Sequence, residues 1–294
     1  MKEKENRNKN RKRIMILIAM MLVLSMALIG CGNKSDDEDQ SGSSQQQEQQ
    51  DQSGSEDQSA EEEGQAADDS PYGLYKQVCK KVQALDSVTY TAELENEIEY
   101  SGGDEQRSTS KINSTEVYRN KTMDMSFESS FSTFGTKGSL NIYYKDGRLY
   151  YDNDGKKSQQ KAGLKKLLNK TMRYSDPYMY LKGNSLFKIE EGDIKSIKAE
   201  NDDDGTEIEI VLKDACIYHY FVLDLDEESS LYGSGFTPSN YEIEISLDKQ
   251  GSLTDINMSY DTEFSAGEGE VSWECDIKGM NDTEKIDFPE FVEN

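Results

Sequence analysis

Apolar and polar residues alternate with a period of two along most of the chain from Ser87 onward. Because successive side chains of a β-strand point to opposite faces, each alternating segment predicts a strand with one buried face, which is typical of antiparallel sheet. The apolar positions of these predicted strands are Val88, Tyr90, Ala92, Leu94, Ile98 and Tyr100; Met123, Met125, Phe127 and Phe131; Leu140, Ile142 and Tyr144; Ile208, Ile210 and Leu212; Tyr241, Ile243, Ile245 and Leu247; Ile256, Met258 and Tyr260; and Val271, Trp273, Cys275 and Ile277. One more strand is predicted over residues 217–223.

Short polar segments between these strands contain residues that favour tight turns. The segment 145–148, Lys-Asp-Gly-Arg, joins two tyrosine-rich segments and therefore predicts a hairpin. Segments 152–155 and 248–251 each end in glycine and predict two further turns.

A different period precedes the first strand, since Tyr75, Val78, Cys79, Val82 and Leu85 recur at spacings of three and four. Residues 70 and 71 are Ser and Pro, which favour the N-cap and first position of a helix, so an amphipathic helix is predicted from there to about residue 86. A short helix is predicted over 162–169, and 171–200 is ambiguous between a loop and a second short helix. The predicted fold class is α+β: a leading amphipathic helix, a large antiparallel sheet and a short helical insertion.

The first 30 residues have the pattern of an export signal. Residues 1–13 carry seven basic and two acidic side chains, and residues 14–30 contain no charged side chain. That apolar run is slightly shorter than the about 20 residues of a comfortable membrane span, so its length alone does not separate a signal from a transmembrane anchor.

The end of the apolar run reads Leu28-Ile29-Gly30-Cys31 and resembles the lipobox of bacterial lipoproteins. The resemblance implies lipid attachment to the Cys31 thiol and cleavage between Gly30 and Cys31, with residues 1–30 removed. Two acyl chains make a stable anchor where one is marginal. The alternative is an uncleaved single-span anchor, and both readings place the remaining chain at the outer face of the cell membrane.

Residues 31–70 are predicted to form a lipidated cysteine followed by a disordered acidic tether, because the segment has almost no apolar side chains to bury. The chain has a formal net charge of −25, of which residues 1–31 contribute +5 and residues 32–70 contribute −12. Residues 71–294, the predicted folded domain, therefore carry −18. A surface this acidic repels a phosphate backbone, so nucleic acid is not an expected partner.

The chemistry of common enzymes and metal sites has little support in the sequence. His219 is the only histidine, it lies in a predicted strand, and there is no Gly-x-Ser-x-Gly motif. The four cysteines contain no Cys-x-x-Cys pair. The acidic segment 200–211 begins like a calcium-binding loop but has Val211 where the closing glutamate is needed, so it predicts a turn. We therefore expect no catalytic residues, no metal and no cofactor.

Cys216 and Cys275 either pair or remain two buried thiols, and the second alternative is preferred.

The order of elements is similar to that of Gram-positive envelope lipoproteins with a LolA-like half-barrel. The likeness rests on the leading helix, the long first strand, the hairpin 143–151 and the closing segment 286–290, Ile-Asp-Phe-Pro-Glu. It implies that the antiparallel sheet of residues 71–294 is curved and that its concave side can hold a lipid or another apolar ligand. The family has no fixed catalytic motif, so no functional residue is carried over.

These observations favour a non-enzymatic, membrane-anchored protein that binds or carries an apolar, lipid-like ligand. The residues expected to line its cavity are Met123, Met125, Phe127 and Phe131, because methionine and phenylalanine line adaptable apolar sites. The alternative is that these four side chains only pack against the leading helix. The alternative function is an envelope protein–protein interaction or sensory module, and the remote one is a hydrolase that uses carboxylates.

Overall fold

The computed structural model describes residues 68–119, 122–133, 135–161, 163, 181–217, 220, 237–265 and 267–293. Helix α1 (Pro71–Gln83) is followed by strands β1 (Ser87–Tyr100), β2 (Glu105–Arg119), β3 (Thr122–Thr133), β4 (Thr136–Lys145), β5 (Arg148–Asn153) and β6 (Lys156–Lys161). Three short 3-10 helices (Leu181–Gly183, Ser185–Phe187 and Glu191–Asp193) precede β7 (Ile194–Asn201) and β8 (Gly205–Leu212). A further 3-10 helix (Asp214–Cys216), β9 (Thr237–Asp248), β10 (Leu253–Phe264), β11 (Gly267–Met280) and the single-turn helix α2 (Glu290–Glu293) follow.

All eleven strands belong to one antiparallel sheet in the order β6-β5-β4-β3-β2-β1-β11-β10-β9-β8-β7. The first strand therefore lies in the middle, where it pairs with the last strand on one side and with β2 on the other. The sheet is curved and does not close, so β6 and β7 are its two edges. The predicted α+β fold class, a large curved antiparallel sheet with few helical parts, is confirmed.

The alternation of side chains gives the sheet two chemically different faces. We call the face that includes Tyr90 and Ala92 the inner face, and the face that includes Thr89 and Thr91 the outer face. Inner-face side chains join those of α1 in a single hydrophobic core. The buried positions on α1 are Gly73, Tyr75, Val78, Cys79 and Val82, so the predicted apolar face of the helix is the one that packs.

The outer face is acidic, and its register places carboxylates directly opposite one another. Glu97 of β1 pairs with Glu270 of β11, and Glu99 pairs with Glu268. Like charges at such positions destabilise a sheet. Two cations offset part of this repulsion, since Arg107 bridges Glu95 and Glu97 and Lys111 lies 3.0 Å from Glu93.

The two edge strands carry lysines, which hinder the addition of another strand to an open edge. In β6 every residue is exposed, and three of its six residues are lysines. In β7, Lys195 and Lys198 are exposed. Both edges of the described sheet therefore carry exposed positive charges that oppose pairing with a second chain.

Helix α1 begins as the sequence predicts. The Ser70 hydroxyl accepts a hydrogen bond from the Gly73 amide at 3.1 Å, and proline occupies the first turn. A second anchor is Tyr75, whose buried hydroxyl donates to the Leu186 carbonyl at 2.8 Å and accepts from the Ile189 amide at 2.9 Å. This side chain ties the helix to the long connection between β6 and β7.

Several sequence expectations are corrected. The pattern gave no indication of β2, β6 or β7. The strand expected over 217–223 is wrong where the structure describes it, because Ile217 follows a 3-10 helix and has helical backbone angles. Cys216 lies in that 3-10 helix and is half-buried, whereas Cys275 is buried in β11, and both are free thiols. The short helix expected over 162–169 falls outside the described residues, except for residue 163.

The turn predictions are confirmed. Asp146 and Gly147 both have positive φ, 49° and 74°, between β4 and β5. Asp154 and Gly155 repeat this geometry between β5 and β6 with 49° and 82°. Two consecutive residues with positive φ match the right-handed twist of the strands that they join, which is why Asp-Gly is favoured there.

Replacing Tyr75 with Phe is expected to lower the free energy of unfolding by about 1–3 kcal/mol, because the Leu186 carbonyl and the Ile189 amide lose their buried partner. Urea unfolding monitored by circular dichroism measures the change. Tyr72→Phe is the matched control: its hydroxyl also bonds to this connection, but the residue is half-buried, so a smaller loss is expected. Equal losses from the two variants would contradict this account.

Candidate functional site

The inner face of β1–β3 is the candidate site, because there the core passes into a region of partly exposed apolar side chains. One row of directly paired residues crosses five strands: Phe131, Ser110, Leu94, Trp273 and Met258. Trp273 and Met258 are buried, whereas Leu94 and Phe131 are half-buried. The row therefore runs from the packed core on one side to accessible apolar surface on the other.

We call the partly exposed side chains Leu94, Tyr100, Phe131 and Phe264 the apolar rim. All four lie on the inner face, in the half of the strands away from Val88. The rings of Tyr100 and Phe264 meet edge to face with centroids 6.3 Å apart. Such surface is the kind that an apolar ligand covers.

Phe131 depends on a glycine in the neighbouring strand. Its direct partner in β4 is Gly138, and a β-carbon added there would lie 2.5 Å from the tip of the Phe131 ring. Only glycine leaves room for the aromatic ring to lie over the backbone at this point. The pair thus fixes the position of one rim residue.

All four residues expected to line a cavity lie on the inner face of β3. Met123, Met125 and Phe127 are buried in the core, and only Phe131 is partly exposed. The structure places Phe131 in the same cross-strand row as Leu94, two strands away, which the sequence analysis did not single out for binding. Gly30, Cys31 and His219 lie outside the described residues.

A buried carboxyl group is the least expected feature of the inner face. Glu116 of β2 is fully buried beside Val88 and Met125, its direct partners in the flanking strands. One carboxylate oxygen accepts hydrogen bonds from the Tyr90 hydroxyl at 3.1 Å and from the Leu181 amide at 3.0 Å. The other oxygen accepts from the Tyr118 hydroxyl.

These contacts make Glu116 a link between the sheet and the connection that follows β6. Burial raises the pKa of Glu116 to about 7, although the three hydrogen-bond donors and the nearby Lys182 ammonium oppose that rise. Lys182 lies over the Tyr118 ring, with its nitrogen 4.4 Å from the centroid, and donates to the Leu85 carbonyl at 2.9 Å. Burial lowers the pKa of this lysine in turn.

Serines surround the carboxyl group along β2 and β3. Ser108, Ser110 and Ser114 alternate on the inner face of β2, and the Ser110 and Ser129 hydroxyls are 2.8 Å apart. This small polar area explains why β2 escaped prediction, since its inner face has Ile112 as the one apolar residue between serines. The sequence offered only an indirect signal for β2. Gly102 and Gly103 mark a turn after β1, and the segment between β1 and β3 is long enough to be expected to form a strand of its own.

Among the residues that the structure describes, no group of His, Cys, Asp and Glu side chains is arranged to hold a metal ion. The acidic segment 200–211 forms the turn between β7 and β8, with Asp202 accepting from the amides of Asp204 and Gly205. Within the same described ranges, no helix is long and apolar enough to cross a membrane.

Comparisons with known proteins give similarity only at the level of solved structures. No family model and no curated protein matches the chain. LprF from Mycobacterium bovis is similar over 74% of this chain and 96% of its own, with 9% identity and a TM-score of 0.43. A putative outer membrane lipoprotein-sorting protein domain from Vibrio parahaemolyticus is similar over 74% of this chain and 96% of its own, with 11% identity and a TM-score of 0.25. A LolA superfamily protein from Nitrosomonas europaea is similar over 76% of this chain and 96% of its own, with 9% identity and a TM-score of 0.25. All three TM-scores are below 0.5, so the description of the fold rests on the strand order and register.

The raised pKa of Glu116 predicts a pH-dependent stability. Below pH 4.5 the carboxyl group is protonated in both the folded and the unfolded chain, and it contributes no pH dependence. Between pH 4.5 and about 7 the unfolded chain ionises first, so the free energy of unfolding is expected to fall by about 3 kcal/mol on account of this residue. Above pH 7 both states are ionised and its contribution stays constant.

The test compares urea unfolding of the wild type and Glu116→Gln from pH 4 to pH 8. The wild type is expected to lose stability relative to the variant across this interval. Glu105→Gln, an exposed position on the same strand, is the control and should follow the wild type. Parallel curves for the wild type and Glu116→Gln would refute a raised pKa at this site.

Proposed function

We propose that the chain is an extracytoplasmic lipoprotein, held at the outer face of the cell membrane by lipid on Cys31, whose sheet domain binds an apolar, lipid-like ligand on its inner face. The observation that carries the ligand part is the apolar rim, in which Leu94 and Phe131 extend the row of Trp273 and Met258 into partly exposed surface. The family resemblance to LolA-like half-barrels supports the same function.

The chemistry of the inner face favours a flexible hydrocarbon over a polar ligand. Leu94 and the three aromatic side chains of the apolar rim supply accessible apolar contact. Each CH₂ group of an acyl chain that leaves water contributes about 0.8 kcal/mol, so even a few covered groups give measurable affinity. The serine hydroxyls at Ser108 and Ser110 are suited to the polar end of such a ligand.

The same arrangement argues for binding without catalysis. Glu116 is the fully buried carboxyl group of the inner face, and its oxygens are engaged by the Tyr90 and Tyr118 hydroxyls and by a backbone amide. A group held in this way positions the connection after β6 rather than transferring protons to a substrate. We therefore assign Glu116 a structural role.

The membrane part of the proposal comes from the sequence. The lipobox Leu28-Ile29-Gly30-Cys31 provides the anchor, and the acidic segment 32–70 provides a flexible tether with an average reach of roughly 35 Å. Repulsion between its carboxylates extends the tether further. The sheet domain can then meet ligands at some distance from the bilayer that holds it.

Phe131→Glu is expected to weaken ligand binding by about tenfold or more, because it places a charge on the surface that the hydrocarbon covers. The control is Ser132→Glu, which puts the same charge on the next residue and hence on the opposite face of β3. Native mass spectrometry of the full-length protein, incubated with phospholipids in a polyoxyethylene detergent, compares the bound mass. A wild type that retains no lipid would contradict the proposal and favour an interaction module.

Cys31→Ser is expected to prevent acylation and the cleavage that accompanies it, so the variant keeps residues 1–30. Labelling of cells with a radioactive or alkyne-bearing palmitate measures the first effect, and the apparent mass on an immunoblot measures the second. Cys79→Ser, which alters a buried thiol of α1, serves as the control and should keep both the label and the cleaved mass. If the wild type takes up no label and keeps residues 1–30, the uncleaved single-span anchor is the correct alternative.

A further inference from the structure

A second concave site lies on the outer face, away from the apolar rim. The chain after β11 turns back across the outer face of β1–β3 and encloses a pocket of about 340 Å³ against it. The wall of this pocket is the segment that contains Thr283, Lys285 and Asp287. All of its lining residues belong to the described part of the chain.

The floor of the pocket is an ordered array of short polar side chains. Three adjacent strands contribute two residues each, and the register aligns them in two rows: Thr89, Thr115 and Ser126 in one, and Thr91, Asn113 and Glu128 in the other. With strands about 4.8 Å apart and same-face residues about 7 Å apart, the array measures roughly 10 by 7 Å. That area matches one or two sugar rings in size.

The wall is held in place at both ends. At its start, the Asn281 side chain accepts a hydrogen bond from the Asp86 amide at 2.6 Å, and the Thr283 amide donates to the Ser87 hydroxyl at 3.1 Å. Near its middle, Ile286 is buried. The pocket is therefore bounded by a fixed segment instead of a free chain end.

The far end of the wall is held by aromatic packing on β4 and β5. The Phe291 ring meets Tyr143 and Tyr150 edge to face, with centroids 5.8 and 6.3 Å apart. Lys145 then pairs with Glu293 at 2.9 Å. These contacts keep Lys285 and Asp287 opposite the polar floor.

From this arrangement we propose that the outer-face pocket binds a neutral carbohydrate. Hydroxyl groups both donate and accept hydrogen bonds, the Asn113 amide does both through separate atoms, and Glu128 is an acceptor. The ring hydroxyls of a sugar present the same mixture of donors and acceptors at similar spacing. Glu128 is also oriented for the purpose, because Tyr143 donates to its Oε1 at 3.1 Å and its Oε2 faces no such donor among the described residues.

Other ligand classes fit this pocket less well. An anion meets the Glu128 and Asp287 carboxylates, with Lys285 as the single basic group of the lining. An apolar ligand would displace water from a floor of six polar side chains without replacing the hydrogen bonds that the water makes. The pocket and the apolar rim are on opposite faces of the sheet, so this proposal stands whether or not the inner face binds lipid.

Isothermal titration calorimetry on the full-length protein tests the proposal, in a polyoxyethylene detergent because sugar-based detergents would compete. The probes are N-acetylglucosamine, tetra-N-acetylchitotetraose and maltotetraose, with inorganic phosphate as the anionic comparison. Saturable binding of at least one of the three sugars is expected. Asn113→Ala and Glu128→Gln are each expected to weaken it by about tenfold, since the first removes a donor and an acceptor and the second replaces a charged acceptor with a neutral amide.

Two controls separate this pocket from the rest of the molecule. Asn257→Ala removes the same amide from the outer face of β10, beyond the pocket, and should leave the affinity unchanged. Phe131→Glu alters the apolar rim and should also have no effect on sugar binding. The proposal is overturned if none of the sugars binds, if binding is equal in the pocket variants and the wild type, or if phosphate displaces the sugar.

Discussion

The pairing of β1 with β11 is the constraint on which the rest of the architecture depends. It joins the first strand of the sheet to the last along almost their whole length, from the Val88–Met280 pair to the Tyr100–Gly267 pair. Without it, strands β1–β6 and β7–β11 would be two separate meanders, each with an additional open edge. Because it joins them, α1 and the connection after β6 share one continuous inner face, and the chain leaves β11 where it can cross the outer face of β1–β3.

The inner face combines a large apolar core with a buried carboxyl group. Glu116 occupies a position where an apolar side chain would pack more simply, and burial of a carboxyl group is unfavourable unless it is hydrogen-bonded. Its partners come from three places: Tyr90 from the central strand, Tyr118 from its own strand and the Leu181 amide from the connection. Such an arrangement selects one position for the connection, which purely apolar packing would leave less well defined.

The sequence predicts those parts of the fold in which local pattern and tertiary environment agree. Helix α1, the Asp-Gly turns and the strands with regular apolar alternation all follow from period and turn chemistry. Strand β2 could not be predicted in this way, because its buried positions are mostly Ser and Glu. Strand β6 is a polar edge strand without apolar positions, and in β7 a bulge between Ile194 and Ser196 breaks the alternation. Near Ile217 tertiary contacts override strand propensity, as Tyr220 bonds to Asp193 at 2.5 Å. Phe131 was predicted as a site residue, whereas Leu94 and the outer-face pocket depend on long-range contacts that no local pattern encodes.

The facing carboxylates of the outer face have a consequence for how the protein responds to its surroundings. At Glu97–Glu270 and Glu99–Glu268 the folded state brings like charges closer than the unfolded chain does, and repulsion from Glu244 already raises the pKa of Glu207 on the same face. Dissolved ions screen exposed charges over about 10 Å at 0.1 M salt. Folding of this domain therefore draws counterions to the sheet, and a saltier medium makes the domain more stable.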